Sequence, residues 1–285
     1  MNDKIGILID STTNIANEFD AYPFVKTVQL KVDVEHHEYK ESELSKEQML
    51  TFIQEQKKMK TSQPSPAEFL EKYQAFFDEG YTHVLVVLIT DKLSGTFQSA
   101  MLAKSMVESD IEISIHSPEC ASFGIANGMR VLAGDVEEKR SFDDILKKYY
   151  ALFEQTHVSF TLANLKHLFI GGRLNRISAF IGTVLRIKPI VEMVEGKLKM
   201  VKKERTNNGC LKFFLDKVDE YAANKKSLYI DVIHLNMPEW ADKLVKAVKE
   251  KYPTASIHIT DQVSPVFFVH LGDKGFGVAV TGLSE

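Results

Sequence analysis

Three segments carry the side chains with most scope for chemistry. Lys60-Thr61-Ser62-Gln63-Pro64-Ser65-Pro66 sets two adjacent hydroxyls in a proline-stiffened loop just before a helix start. Hydroxyls and free amides near a helix N-terminus suit a carboxylate or a phosphate, although Thr61 and Ser62 would equally serve as caps and turn formers. Ser94-Gly95-Thr96 follows an apolar run ending at Thr90 and opens the next helix. In an open α/β sheet that is the carboxyl end of a strand, where ligands bind. Gly95 there would let an anion approach the backbone closely, and a plain capping loop fits the same residues. Gly171-Gly172-Arg173-Leu174-Asn175-Arg176 pairs glycines with a guanidinium, the donor best matched to carboxylate or phosphate. A surface turn with solvated arginines fits it as well.

Two further features are weaker. Lys202-Lys203-Glu204-Arg205 is a short charged run of the kind that usually forms a solvated face. His270 leaves the apolar run Val266–His270, read as a strand, into the glycine-rich Gly272-Asp273-Lys274-Gly275-Phe276-Gly277, from which it could donate to an anion. Those glycines do not open a helix, so no dinucleotide fingerprint is present. The chain holds no Gly-x4-Gly-Lys-Ser/Thr loop, no Gly-x-Ser-x-Gly elbow and no His-Glu-x-x-His. Glu35-His36-His37-Glu38 is a poor metal site, because neighbouring strand residues face opposite sides. No metal, cofactor or nucleophile–base pair is expected.

The elements that must position these residues alternate. Lys4–Asp10, Val84–Thr90 and Ile111–His116 are strand-sized apolar runs. Between and after them come helical patterns. Ser45-Lys-Glu-Gln48 and Ser65-Pro66-Ala67-Glu68 both have capping-box spacing, and Phe69, Tyr73, Phe76 and Phe77 form one apolar face closed by Gly80. Helices are also expected from about Phe97, over Ala121–Glu138 and over Asp143–Phe153. This order predicts a parallel sheet with helices on both faces. From about Val158 the style changes to a strand, a hairpin around Glu195-Gly196, helices at 209–221 and 239–251, and further strands at 228–235, 256–260 and 277–280. The reading is an α/β chain with a parallel-sheet unit over 1–158 and a mixed-sheet unit over 159–285.

The chain has 285 residues, 44% hydrophobic and 26% charged, with a formal net charge of −4. That composition is ordinary for a soluble globular chain and excludes disordered, collagen-like and coiled-coil classes. It gives no electrostatic case for nucleic-acid binding. Its two cysteines, Cys120 and Cys210, form no CxxC pair, so neither a disulfide framework nor a cysteine zinc site is expected. The N-terminus lacks a basic region followed by an apolar one, and no apolar run reaches the ~18 residues that span a bilayer. A cytoplasmic location is the expectation.

Taken in order, these segments resemble the DegV family of bacterial fatty-acid-binding proteins. The resemblance is carried by Ile9-Asp10-Ser11-Thr12, Lys60–Pro66, Leu93-Ser94-Gly95-Thr96-Phe97-Gln98-Ser99-Ala100, Gly171-Gly172-Arg173, Ile187-Lys188-Pro189-Ile190, Lys203-Glu204-Arg205 and His270-x-Gly272. It runs over about residues 3–283. It implies two domains with a lipid tunnel at their junction, holding a long-chain fatty acid such as palmitate or oleate. It further implies that Thr61 and Ser94 hold the carboxylate, with Ser62, Gly95, Thr96 and His270 around them. Members that form the lipid-binding subunit of fatty acid kinase present the acid to a separate ATP-dependent kinase, in the service of phospholipid metabolism. Arginines matching Arg173 and Arg205 would then handle the head group or the kinase, and transient membrane contact is allowed. The sequence departs from the family at His116-Ser117-Pro118-Glu119-Cys120, at Asp273-Lys274 after the histidine, and at Thr206 after Arg205. Two other classes fit the same anion loops: a stand-alone phosphoryl-transfer or hydrolytic enzyme, and a lipid-sensing regulator.

Overall fold

A computed structural model describes residues 3–13, 15–174 and 187–284, without the side chains of residues 15 and 16. The chain begins with strand β1 (Ile5–Asp10), a 3-10 helix (Ile15–Ala21), β2 (Val25–Val28), β3 (Lys31–Val34), β4 (His37–Lys40) and a second 3-10 helix (Glu41–Glu43). Helix α1 (Lys46–Gln54), β5 (Met59–Ser62), α2 (Pro66–Asp78), β6 (His83–Val87), α3 (Thr96–Lys104) and β7 (Glu112–His116) follow. Then come α4 (Phe123–Glu137), α5 (Phe142–Glu154), β8 (Thr156–Leu162), α6 (Lys166–Ile170), β9 (Lys188–Val194) and β10 (Lys197–Glu204). The chain closes with α7 (Asn207–Ala222), β11 (Ser227–Leu235), α8 (Pro238–Lys251), β12 (Ser256–Thr260), α9 (Pro265–Leu271) and β13 (Gly275–Leu283).

The alternating first half builds a parallel sheet in the order β2-β1-β6-β7. Each strand side chain faces one of two helical layers. Leu8, Val84 and Val86 pack with Phe69, Tyr73 and Phe76 of α2 and Ala100 and Ala103 of α3. Ile7, Ile9, Leu85 and Val87 pack with α4 and α5 on the other side. This two-sided burial explains why the central strands β1 and β6 read as nearly continuous apolar runs, while the edge strands β2 and β7 keep polar residues. The second half forms a six-stranded mixed sheet in the order β10-β9-β8-β13-β11-β12. Its outer face carries α7 and α8. Its inner face packs on α4, whose residues are buried almost all round because both sheets press on it. The expected domain division at 158/159 falls within β8.

The local start signals act as expected in α1 and α2. Ser45 accepts from the Gln48 amide, and Ser65 accepts from the Glu68 amide while the Glu68 carboxylate reaches back to Ser65. Glu195 and Gly196 both have positive φ, the twist that a two-residue hairpin between β9 and β10 requires.

Several elements differ from the sequence reading. A third sheet, β4-β3-β5, is antiparallel and was not anticipated, because its strands are only four residues each. Thr61 and Ser62 belong to its edge strand β5, opposite Val32 and Lys31, and not to a capping loop; Ser65 alone caps α2. Val266–His270 is helical in α9 instead of extended. A short apolar run fits either period, and here Pro265 pre-sets the first turn. Glu35 and His36 form the β3–β4 turn with positive φ, so His36 and His37 are not successive strand residues. β6 stops at Val87, short of Thr90. Asn175 and Arg176 lie outside the described residues.

Candidate functional site

A cavity lies where the three sheets meet. It contains about 1090 Å³ of unfilled space, part of it open to solvent. Its walls come from all parts of the chain: Ile89 and Leu93 after β6, Phe123 at the start of α4, Val158, Phe160 and Leu162 of β8, Ile233 and Leu235 of β11, and Phe267 and Leu271 of α9. On β8 the alternation is the cause. Val158, Phe160 and Leu162 turn inward, while Thr161 sits against Cys210 of α7 on the other face. Gly275 and Gly277 line the same cavity from β13.

Polar side chains converge on this apolar space. Thr61 Oγ1 lies 2.9 Å from His270 Nε2, joining β5 to α9. Ser94 lines the cavity from the loop before α3, and its hydroxyl lies 2.8 Å from that of Thr96. Arg173 lines it after α6, with Nη1 donating to the Gly171 carbonyl at 2.6 Å and Nε donating to the Leu93 carbonyl at 3.2 Å. Among the described residues Arg173 makes no ion pair. Two backbone carbonyls therefore aim a half-buried cation toward the segment holding Ser94.

His270 is buried. Burial first, then the charges of Arg173 and His167, push its pKa down to about 4, so the imidazole is neutral near pH 7. Its Nδ1 is buried with no partner among the described residues. Gly171 explains how that ring fits: a Cβ at position 171 would lie 2.4 Å from Nδ1. For the Thr61 hydroxyl to donate into the cavity, the imidazole proton must sit on Nε2 and be given to the Thr61 oxygen.

The sequence-identified residues divide accordingly. Thr61, Ser62, Ser94, Arg173 and His270 all line the cavity. The Ser62 hydroxyl donates to Glu38 at 3.3 Å. Thr96 is fully buried behind Ser94, and Gly95 precedes α3 with a negative φ; a Cβ there would press on the Gln63 amide at 2.9 Å. Arg205 is exposed beyond β10 and is not brought to the cavity wall. The apolar walls and Ser122 were not identified from sequence. The alternation Val158-Ser159-Phe160-Thr161-Leu162 was the one signal for a wall.

Among the described residues there is no group of three or more His, Cys, Asp or Glu able to hold a metal ion, and no helix long and apolar enough to cross a membrane.

Such a fold and cavity define a class of α/β proteins that place a largely apolar cavity between a parallel sheet and a mixed one. The chain belongs to the DegV family, whose sequence profile, described as that of uncharacterised proteins, matches residues 4–282. It is 30% identical over 278 residues to a DegV domain-containing protein of Halalkalibacterium halodurans, covering 97% of this chain and 98% of that one. Among solved structures it is similar to the fatty acid binding DegV family protein of Streptococcus agalactiae, with TM-score 0.89 and 26% identity over 98% of this chain and 99% of that one. It is also similar to a DegV family protein from Thermus thermophilus described by its fatty acid binding, with TM-score 0.88 and 25% identity over 98% of this chain and all (100%) of that one.

Proposed function

We propose that this protein binds one long-chain fatty acid, with the tail in the apolar cavity and the carboxylate at Thr61, Ser94 and Arg173, where His270 orients the Thr61 hydroxyl. One observation carries the reading: two hydroxyls, a neutral histidine and an arginine with no ion pair among the described residues converge on an otherwise apolar cavity. The fatty acids described for related DegV proteins support it. The energetics agree. Burying about 14 methylenes contributes on the order of 11 kcal/mol at ~0.8 kcal/mol each, and ordering and association costs remove much of that. The tail therefore supplies most of the affinity, and the polar cluster fixes the head. Hydroxyls held by neutral partners leave a carboxylate oxygen free to attack a phosphoryl donor.

The same reading makes the protein a non-catalytic carrier that presents the acid to a separate ATP-dependent kinase, with Arg205 facing that partner. The family resemblance supports this, as does the exposed place of Arg205 after β10. The units 1–158 and 159–285 then act as the two halves enclosing the ligand. Native mass spectrometry of the purified protein tests the binding claim. A retained mass of a C14–C18 acid is expected. Turnover of ATP or of esters by the isolated protein would instead favour a stand-alone enzyme.

A further inference from the structure

The carboxylate of Glu41 is buried where three segments meet. Its Oε1 accepts from the Val266 amide at 2.8 Å and from the Ser264 hydroxyl, and its Oε2 accepts from the Ser11 hydroxyl. Ser11 Oγ in turn accepts from the Leu30 amide at 2.9 Å. One side chain thus ties the loop after β1, the 3-10 helix Glu41–Glu43 and the first turn of α9. It supplies the cap that Ser264, the residue at the N-cap position, does not make with its own side chain. Leu30 and Val266 both line the cavity.

Val266 and His270 are four residues apart on α9 and share one helix face, so where the first turn is held decides where the imidazole lies. We infer that Glu41 is a positioning residue: by holding the start of α9 it keeps His270 against Thr61. This rests on the head-group reading above. The competing explanation is that apolar packing alone seats α9, since Phe268 is fully buried.

Substitutions separate the two. Glu41→Ala leaves the Val266 amide and two hydroxyls without their acceptor. Glu41→Gln keeps a carbonyl oxygen for Val266 and Ser264, and its amide can donate to Ser11. Two readouts are taken: palmitate affinity by calorimetric titration, and the imidazole resonances of the ligand-free protein labelled with 15N-histidine. In Glu41→Ala we expect the His270 resonances to move, those of the distant His157 to stay, and palmitate affinity to fall at least tenfold. In Glu41→Gln both readouts should return close to the starting protein.

Unmoved His270 resonances in a folded Glu41→Ala protein would overturn the inference, whether or not affinity changed. So would a Glu41→Gln variant as impaired as Glu41→Ala. Should Glu41→Ala not fold, Ser264→Ala removes a single donor and should move His270 in the same direction with a several-fold loss of affinity; no movement there refutes the role. If the unsubstituted protein binds no palmitate, the fatty-acid reading fails on its own, while the resonances of the ligand-free protein still test Glu41.

Discussion

The two parts of the cavity are built on opposite logic. At the polar end a few side chains from distant segments meet at set distances: Thr61 from β5, Ser94 before α3, Arg173 after α6 and His270 on α9. Along the apolar walls many side chains contribute, and none has a defined partner. A carboxylate end depends on individual donors, since removing one donor to a charged group costs ~1.5–3 kcal/mol. A hydrocarbon tail depends on summed area, to which each wall residue adds a modest share. Single substitutions should therefore be felt sharply at one end and weakly along the other.

The strongest break of that contrast is the double substitution Thr61→Ala and Ser94→Ala. Fatty-acid affinity should fall well beyond tenfold in a direct titration, and unchanged affinity would remove both hydroxyls from the site. Gly171→Ala should come next, at about tenfold by the same scale of one lost donor. The new Cβ would sit 2.4 Å from His270 Nδ1 and displace the ring, while φ of −69° at Gly171 suits alanine, so backbone strain is not the cause. Binding at full strength in that variant would mean that the ring position is unimportant.

Acid should sharpen the same end through stability. His270 titrates at about 4 in the fold against an ordinary 6.5 in the unfolded chain. Between those values the unfolded chain binds more protons, so this contribution is intact above about pH 6.5 and is lost as pH falls toward 4. His157, lowered to about 4 by burial and by Lys217, acts in the same direction. The buried carboxyls of Asp10, Glu41 and Asp231, raised by burial, act in the opposite direction, so the readout is a difference: from pH 7 to pH 5 the His270→Asn protein should lose less thermal stability than the unsubstituted one. An equal drop in the variant would assign the effect to other groups. The smallest effects belong to the walls and the surface. Phe267→Ala should weaken binding less than tenfold, because a partly buried ring is one contributor among many. Arg205→Ala should leave binding unchanged and lower acyl-phosphate formation in a mixture reconstituted with a kinase. Loss of lipid binding would instead move Arg205 to the carboxylate.

The same division explains what could be read from the residues alone. Thr61, Ser94 and Arg173 were legible as anion donors beside glycine and proline, but the same residue types build ordinary turns, so only their convergence in the fold separates the two readings. The central strands of the parallel sheet, β1 and β6, were legible because both their faces are buried and they read as nearly continuous apolar runs. The walls were not, since Leu235 or Phe160 at a cavity has the same pattern as a residue in a filled core. The three-stranded sheet escaped notice because four-residue strands carry too few alternations. α9 was misread because seven apolar-rich residues fit both periods, and the cap that decides the matter, Glu41, is far away in sequence. That tertiary contact also carries the histidine into place, a role that no local pattern reveals.

The central claim is that a fatty acid lies with its carboxylate at the polar cluster and its tail along the apolar walls. A structure of the complex with palmitate tests it most directly. The carboxylate oxygens should lie within hydrogen-bond reach of Thr61 and Ser94, with the chain running between β8, β11 and α9. A carboxylate found elsewhere, or a tail outside this cavity, would contradict it.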